Sequence, residues 1–158
     1  MYYRNLPSKR KKMVKKIVSL MFLKKVNNEL SVLVCTKPHS DEYILPHSTI
    51  TGPLTISELH NIAKKVGVDS RGILYRSIYE SYSSQPGKED KQLSTYMVVE
   101  CSGIPDDFGN WYENVMWMDF ERFLASKDEM SEEVRSLISY IQTNREAYRR
   151  LLVETKIP

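Results

Sequence analysis

The sequence predicts an α/β fold of the α/β/α sandwich kind, one mixed β-sheet covered by helices on both faces. Apolar, β-branched segments alternate with segments of helical periodicity in the order β-β-β-α-β-β-β-α-α, which implies helices layered on a sheet. The chain has 158 residues, enough to bury one core without disulfides or a structural metal, so a single domain is expected. Its composition, 41% apolar and 27% charged, is that of a folded globular protein.

The elements follow in order. Residues 15–25 and 30–36 are rich in Val, Ile, Leu and Phe and flank Asn27 and Asn28, which tolerate the left-handed geometry of a tight turn, so they form a hairpin. After a polar loop, Tyr43-Ile44-Leu45-Pro46 reads as a short strand closed by a proline that cannot extend a central strand, and the chain turns through Thr51-Gly52-Pro53. In residues 54–66, Leu59, Ile62, Ala63 and Val66 fall at helical spacing, with Thr55 and Glu58 as a capping box and Gly67 as the stop. Residues 72–83 alternate Ile73, Tyr75, Ser77, Tyr79 and Ser81 against Leu74, Arg76, Ile78, Glu80 and Tyr82, as a strand does. A loop containing Pro86-Gly87 leads to a strand at 93–101. A further strand is expected at 114–119 and a short helical turn at 120–125. Val134, Leu137, Ile138, Ile141, Tyr148, Leu151 and Leu152 then trace one face of a single long final helix. The expected core includes Leu59, Ile62, Val66, Trp117, Leu137 and Ile141.

Charge divides the chain unevenly. Residues 1–16 carry seven basic groups (Arg4, Lys9, Arg10, Lys11, Lys12, Lys15, Lys16) and no acid; removing them from 23 leaves 16 basic against 20 acidic residues, a mildly acidic body. Residues 1–14 are therefore a basic arm and 15–155 the domain. The arm is either a solvated tail or a contact, through residues 4–16, for nucleic acid or an anionic surface. Its basic run precedes apolar residues 17–23, but Lys24 and Lys25 cut that run off and no small-residue cleavage site follows, so a first strand is expected and not a signal peptide. No segment approaches the ~20 apolar residues of a membrane span. Cys35 and Cys101 lie far apart in predicted strands and form no CxxC pair, which fits buried thiols, a reducing compartment and a cytoplasmic location.

Ile44-Leu45-Pro46, the short turn after it, the helix ending Ile62-Ala63-Lys64-Lys65-Val66-Gly67-Val68, and Val115-Met116-Trp117-Met118 together resemble the Nudix hydrolase superfamily. The likeness spans most of residues 15–152. The family's box reads G-x5-E-x7-R-E-U-x-E-E-x-G-U, with U apolar. With Gly67 and Val68 as the closing G-U, His60 stands at the Arg, Asn61 at the first Glu of that stretch and Ile62 at the first U. Lys64 and Lys65 take the positions of the paired metal-binding glutamates. His47 and Ser48 follow Pro46 where glycines are common, and the segment from Pro46 to His60 is about two residues shorter than the family spacing. The resemblance thus implies a Nudix-like domain with a degenerate box: the apolar positions are kept and the carboxylates are not.

In the family those glutamates hold magnesium against a diphosphate and lower the pKa of the attacking water. An ammonium offers only donors and cannot ligate a cation. No catalytic residue, metal ligand or cofactor is therefore assigned, magnesium entering only if other carboxylates hold it. Lys64, Lys65 and His60 are candidates for phosphate contact, an ammonium standing in for the lost cation; the competing reading of the lysines is exposed cations at a helix C-terminus. Tyr75, Tyr79 and Tyr82 are candidates for stacking a base, against a reading as ordinary half-buried strand residues. Glu58 with Glu80, Glu89 or Asp90, and His39 with Asp41 and His47, are the groups from which a divergent metal site would have to be built.

The leading expectation is a binding or regulatory module for a nucleotide-like or diphosphate-containing ligand. A divergent but active hydrolase of nucleoside diphosphate derivatives is the first alternative. A structural interaction module in a larger assembly, using the arm or the basic face of residues 145–150, is the second.

Overall fold

In the computed structural model the described residues are 14–26, 28–67, 75–84, 86–87, 89–99 and 112–154. The arm up to residue 13 lies outside them, as do Asn27, Val68, Ile73, Leu74 and Cys101.

Strand β1 (Val14–Val26) organises the sheet. Its end pairs antiparallel with β2 (Glu29–Thr36) from Leu23↔Val32 to Val26↔Glu29, and Asn28 takes φ 67° in the connecting turn, as the asparagine pair predicts. Its beginning pairs with a different strand, β4 (His47–Ile50), from Lys16↔Ile50 to Ser19↔His47. Between the two, the Leu20 N–H donates to the Pro46 carbonyl at 2.9 Å. The two-residue β3 (Tyr43–Ile44) pairs with the end of β2. One edge of β1 is thus shared by two strands, and the sheet forks at Pro46. The other edge of β1 is parallel to β6 (Asp90–Val99), with β5 (Tyr75–Ser83) antiparallel outside it, while β7 (Glu113–Asp119) lines the outer edge of β2.

Side-chain alternation on β1 then divides the core. Val18, Leu20 and Phe22 join Leu33, Ile50 and Val98 beneath helix α1 (Ile56–Lys64), which contributes Leu59, Ile62 and Ala63, with Val66 just beyond its end. Met21 and Leu23 face the other way, with Val32, Val34, Leu45 and Met118. That face is covered by α2 (Phe120–Ala125) and α3 (Glu132–Thr143), through Phe120, Phe123, Val134, Leu137, Ile138 and Ile141. A strand buried on both faces needs apolar residues at nearly every position, which β1 has from Ile17 to Leu23. The mixed sheet with helices on both sides is the expected sandwich. Trp117 packs at the margin of the α1 layer, with the Lys24 ammonium 4.3 Å above its ring.

The cap of α1 matches its sequence signal: Thr55 Oγ1 accepts the Glu58 N–H at 3.3 Å, and Gly67 takes φ 75° just past the end. Three expectations need correction. The chain does not simply turn after Pro46 but adds β4, because residues 47–50 find an open edge on β1 that no local signal announces. The strict alternation of residues 73–82 fails, because a bulge between Ser77 and Tyr79 shifts the register of β5. The single final helix is two, α3 and α4 (Arg145–Glu154), since Asn144 leaves helical geometry at φ −116°, ψ 95°. Asn144 serves both ends: its N–H donates to the Tyr140 carbonyl, and its Oδ1 accepts the Ala147 N–H at 3.1 Å. Asn144→Ala is expected to cost about 0.5–2 kcal/mol by removing that cap. Urea unfolding should show it as a lower midpoint at unchanged slope. The side chains of Leu151 and Leu152 lie outside the description.

Candidate functional site

The last turn of α1 places its two lysines differently. Lys64 is exposed, while Lys65 is partly buried against the sheet, its Nζ donating to the His47 carbonyl at 3.3 Å and to Ser48 Oγ at 2.8 Å. Burial holds the Lys65 ammonium below the ordinary lysine pKa. His60 lies one helical turn before Lys64, so the two share a face of α1. The His60 ring is hydrogen-bonded through Nδ1 to the Tyr75 hydroxyl at 2.9 Å, with ring centroids 5.5 Å apart. The structure therefore brings His60, Lys64 and Tyr75 to one end of the α1 face and ties Lys65 to β4.

The three candidate tyrosines do not share a surface. Tyr75 packs on the α1 side, whereas the bulge turns Tyr79 to the opposite side, where its ring lies 5.0 Å from that of Tyr140 on α3. Tyr82 is 58% exposed and donates to Asp90 Oδ2 at 2.8 Å, a bond that raises the Tyr82 hydroxyl above its usual pKa.

At the fork of the sheet a cavity of about 250 Å³ opens on the α3 side. Its apolar floor is Ile17, Ile44, Leu45 and Val134, and Lys37, Glu42, His47 and Glu133 are its titratable groups. Ser19 and Ser131 add hydroxyls. Position explains the set: His47 is the partner of Ser19 in the β1–β4 ladder, so both side chains stand on one face, while Ser48 stands on the other, where Lys65 reaches it.

His47 is held from three directions. Its backbone N–H donates to the Tyr112 hydroxyl at 3.1 Å, and that hydroxyl donates to its carbonyl at 3.2 Å. Its ring Nδ1 lies 2.9 Å from the Leu45 carbonyl. A carbonyl only accepts, so Nδ1 carries the proton and Nε2 is the ring's lone-pair nitrogen. Burial first, and then the positive charge of Lys37, holds the His47 pKa below its usual value against the opposing pull of the Leu45 bond and Glu133. Burial also pushes Tyr112 up to about 12. Cys35, beneath the same fork, is buried and raised to about 12, which keeps it a thiol.

Sequence reasoning noticed His47 and Ser48 as replacements for glycine after Pro46 but did not place them at a cavity. Tyr112, Ser131 and Glu133 were missed because they lie 65 residues or more from His47 in the chain and no local pattern joins them, and Glu42 because it sits in a polar loop without a pattern. His39 is exposed, its N–H bonded to Glu113 Oε1, and does not line the cavity with His47. Among the described residues no group of three His, Cys, Asp or Glu side chains is placed to hold a metal ion. The residues of the last turn of α1 do not fit a magnesium ion, since ammonium groups have no lone pair to give and Lys65 already donates to the oxygens beside it.

These features define an α/β/α-sandwich domain with a polar cavity at the fork of its sheet. The same architecture occurs in the NUDIX domain of Shewanella oneidensis NrtR, solved with ADP-ribose, at TM-score 0.66 and 13% identity over 95% of this chain and 94% of that one. It occurs in a Caenorhabditis elegans Ap4A hydrolase complex at TM-score 0.56 and 12% identity, over 82% of this chain and 98% of that one. A NUDIX hydrolase from Nitrosomonas europaea aligns at TM-score 0.58 and 13% identity, over 84% and 90%. No protein-family model matches the sequence, and no curated protein matches it. The fold of this chain is the Nudix fold. None of its described helices is long and apolar enough to cross a membrane.

Proposed function

We propose that this Nudix-fold domain binds a nucleotide-like or diphosphate-containing ligand and does so without the usual magnesium-dependent hydrolysis. The observation that carries this reading is the Lys65 ammonium, partly withdrawn from water and bonded to the His47 carbonyl and Ser48 hydroxyl. It fixes a positive charge at the turn where the family resemblance calls for a carboxylate and a metal. A fixed cation attracts a phosphate directly, and the exposed Lys64 adds a second. His60 supplies a third polar group on that side, with Tyr75 as its neighbouring aromatic face.

Titration of ADP-ribose and of Ap4A, with EDTA present, tests binding. A ligand at a hundred times its Kd should add about 2.7 kcal/mol of apparent stability, visible as a raised melting temperature. The same compounds incubated with Mg²⁺ or Mn²⁺ should release no phosphate or mononucleotide. Release would instead establish a divergent hydrolase, with Glu58 on α1 and Glu80 on β5 the first carboxylates to replace. Absence of binding by every diphosphate compound would leave the domain as an interaction module.

A further inference from the structure

We infer that the cavity at the fork of the sheet is selective for a ring edge bearing an exocyclic amino group, and that His47 Nε2 is the group that reads it. The inference rests on the nucleotide-like ligand proposed above and names the part of that ligand the cavity takes.

About 250 Å³ lies below the roughly 300–1,000 Å³ of pockets that enclose a whole small ligand, so the cavity suits one ring system and leaves sugar and phosphates outside. The floor of Ile17, Ile44, Leu45 and Val134 suits the flat apolar face of a heterocycle. The rim then decides orientation. Two carboxylates, Glu42 and Glu133, and the imidazole Nε2 are acceptors, against the single ammonium of Lys37. Glu133 is partly balanced by Lys91 at 3.7 Å, which leaves the rim acceptor-rich without a strong net charge. A phosphate would face these acceptors at a cost, whereas an amino group would be satisfied by them.

His47 is the fixed member of the set. The Leu45 carbonyl dictates its tautomer, the Tyr112 hydroxyl clamps its backbone, and β-pairing with Ser19 sets its direction. Glu42 is exposed by comparison, on the loop before β3. A pre-oriented acceptor discriminates better than a mobile one, because an analogue lacking the donor leaves the acceptor buried and unpaired.

Matched nucleosides test the inference without phosphate. Guanosine should bind more tightly than inosine, and adenosine more tightly than purine riboside, each pair differing by one exocyclic amino group, by about tenfold. His47→Asn keeps a donor for the Leu45 carbonyl but has no atom at the Nε2 position, so it should abolish both preferences. His47→Gln, whose amide oxygen reaches further, should restore part of them. Acid should act like His47→Asn: protonation makes Nε2 a donor, so the preference holds at neutral pH and is lost below the ordinary histidine pKa of 6.5. The charged and titratable groups facing the ring in that titration are Lys37, Glu42, Lys65, Tyr112 and Glu133. Nitrogen NMR of the unliganded protein should show the Nδ1–H tautomer whether or not any variant folds.

Equal affinities within each pair, binding of none of the four nucleosides, preferences that survive His47→Asn in a folded protein, or an Nε2–H tautomer would each overturn the inference. Guanosine and guanosine diphosphate binding equally, with the His47 dependence intact, would sink the phosphate reading while leaving this one standing.

Discussion

Phe22→Ala should lower the free energy of unfolding by about 3–5 kcal/mol, the range for deleting a buried aromatic ring from a core. Phe22 is fully buried on the central strand, opposite Val98 of the parallel neighbour and under the helix that carries Leu59, Ile62 and Ala63. Strands flank β1 on both edges and helices cover both faces, so the cavity left by the ring has little room to collapse, and the cost should fall in the upper part of the range. Against a total stability of about 5–15 kcal/mol for a domain, most of the margin would be gone. Urea unfolding followed by circular dichroism measures it. Ile56→Ala, at a side chain 56% exposed on the first turn of α1, is the control and should stay within about 0.5 kcal/mol of the parent. A loss below about 1.5 kcal/mol for Phe22→Ala, under the range for burying such a side chain, would mean that β1 is not the centre of the sheet.

The paired change Lys64→Glu with Lys65→Glu should weaken binding of a diphosphate ligand at least tenfold, charge-assisted contacts contributing about 1.5–3 kcal/mol each. The two positions should not contribute alike. Lys64 is exposed, so Lys64→Glu changes only the field offered to a phosphate. Lys65 also holds β4, so Lys65→Glu sets a carboxylate against the His47 carbonyl and is expected to destabilise the fork as well. Lys65→Gln separates the effects, since its amide can still donate to those oxygens while the charge is gone. Calorimetric titration of the three variants with ADP-ribose, beside their melting temperatures, should show affinity falling in Lys65→Gln with little loss of stability. Unchanged affinity in a folded double variant would reduce both lysines to helix-end surface residues.

How far each element could be read in advance follows from how local its cause is. The cap and stop of α1, the Asn28 turn and the apolar run of β1 depend on neighbours within four residues or on strand alternation, and each was legible. Asn144 was legible in principle, because asparagine favours helix caps, but the apolar periodicity on either side outweighed a single residue. The β5 bulge left no comparable mark. It divides Tyr75 from Tyr79, and so divides a surface that simple alternation would have joined.

By itself the sequence determined the layering: which residues are apolar at period two and which at 3.6 settles that a sheet lies between helices, whatever the connections. It also determined the chemistry available at the end of α1, two adjacent lysines, because residue type needs no coordinates. Only the tertiary structure decided where that chemistry points. The fork of β1, and with it the cavity and the strand to which Lys65 is tethered, arise from backbone pairings between segments distant in the chain. Such pairings form when an open strand edge and a matching backbone meet, and the hydrogen bonds that make them belong to peptide groups common to every residue, so no residue type encodes them.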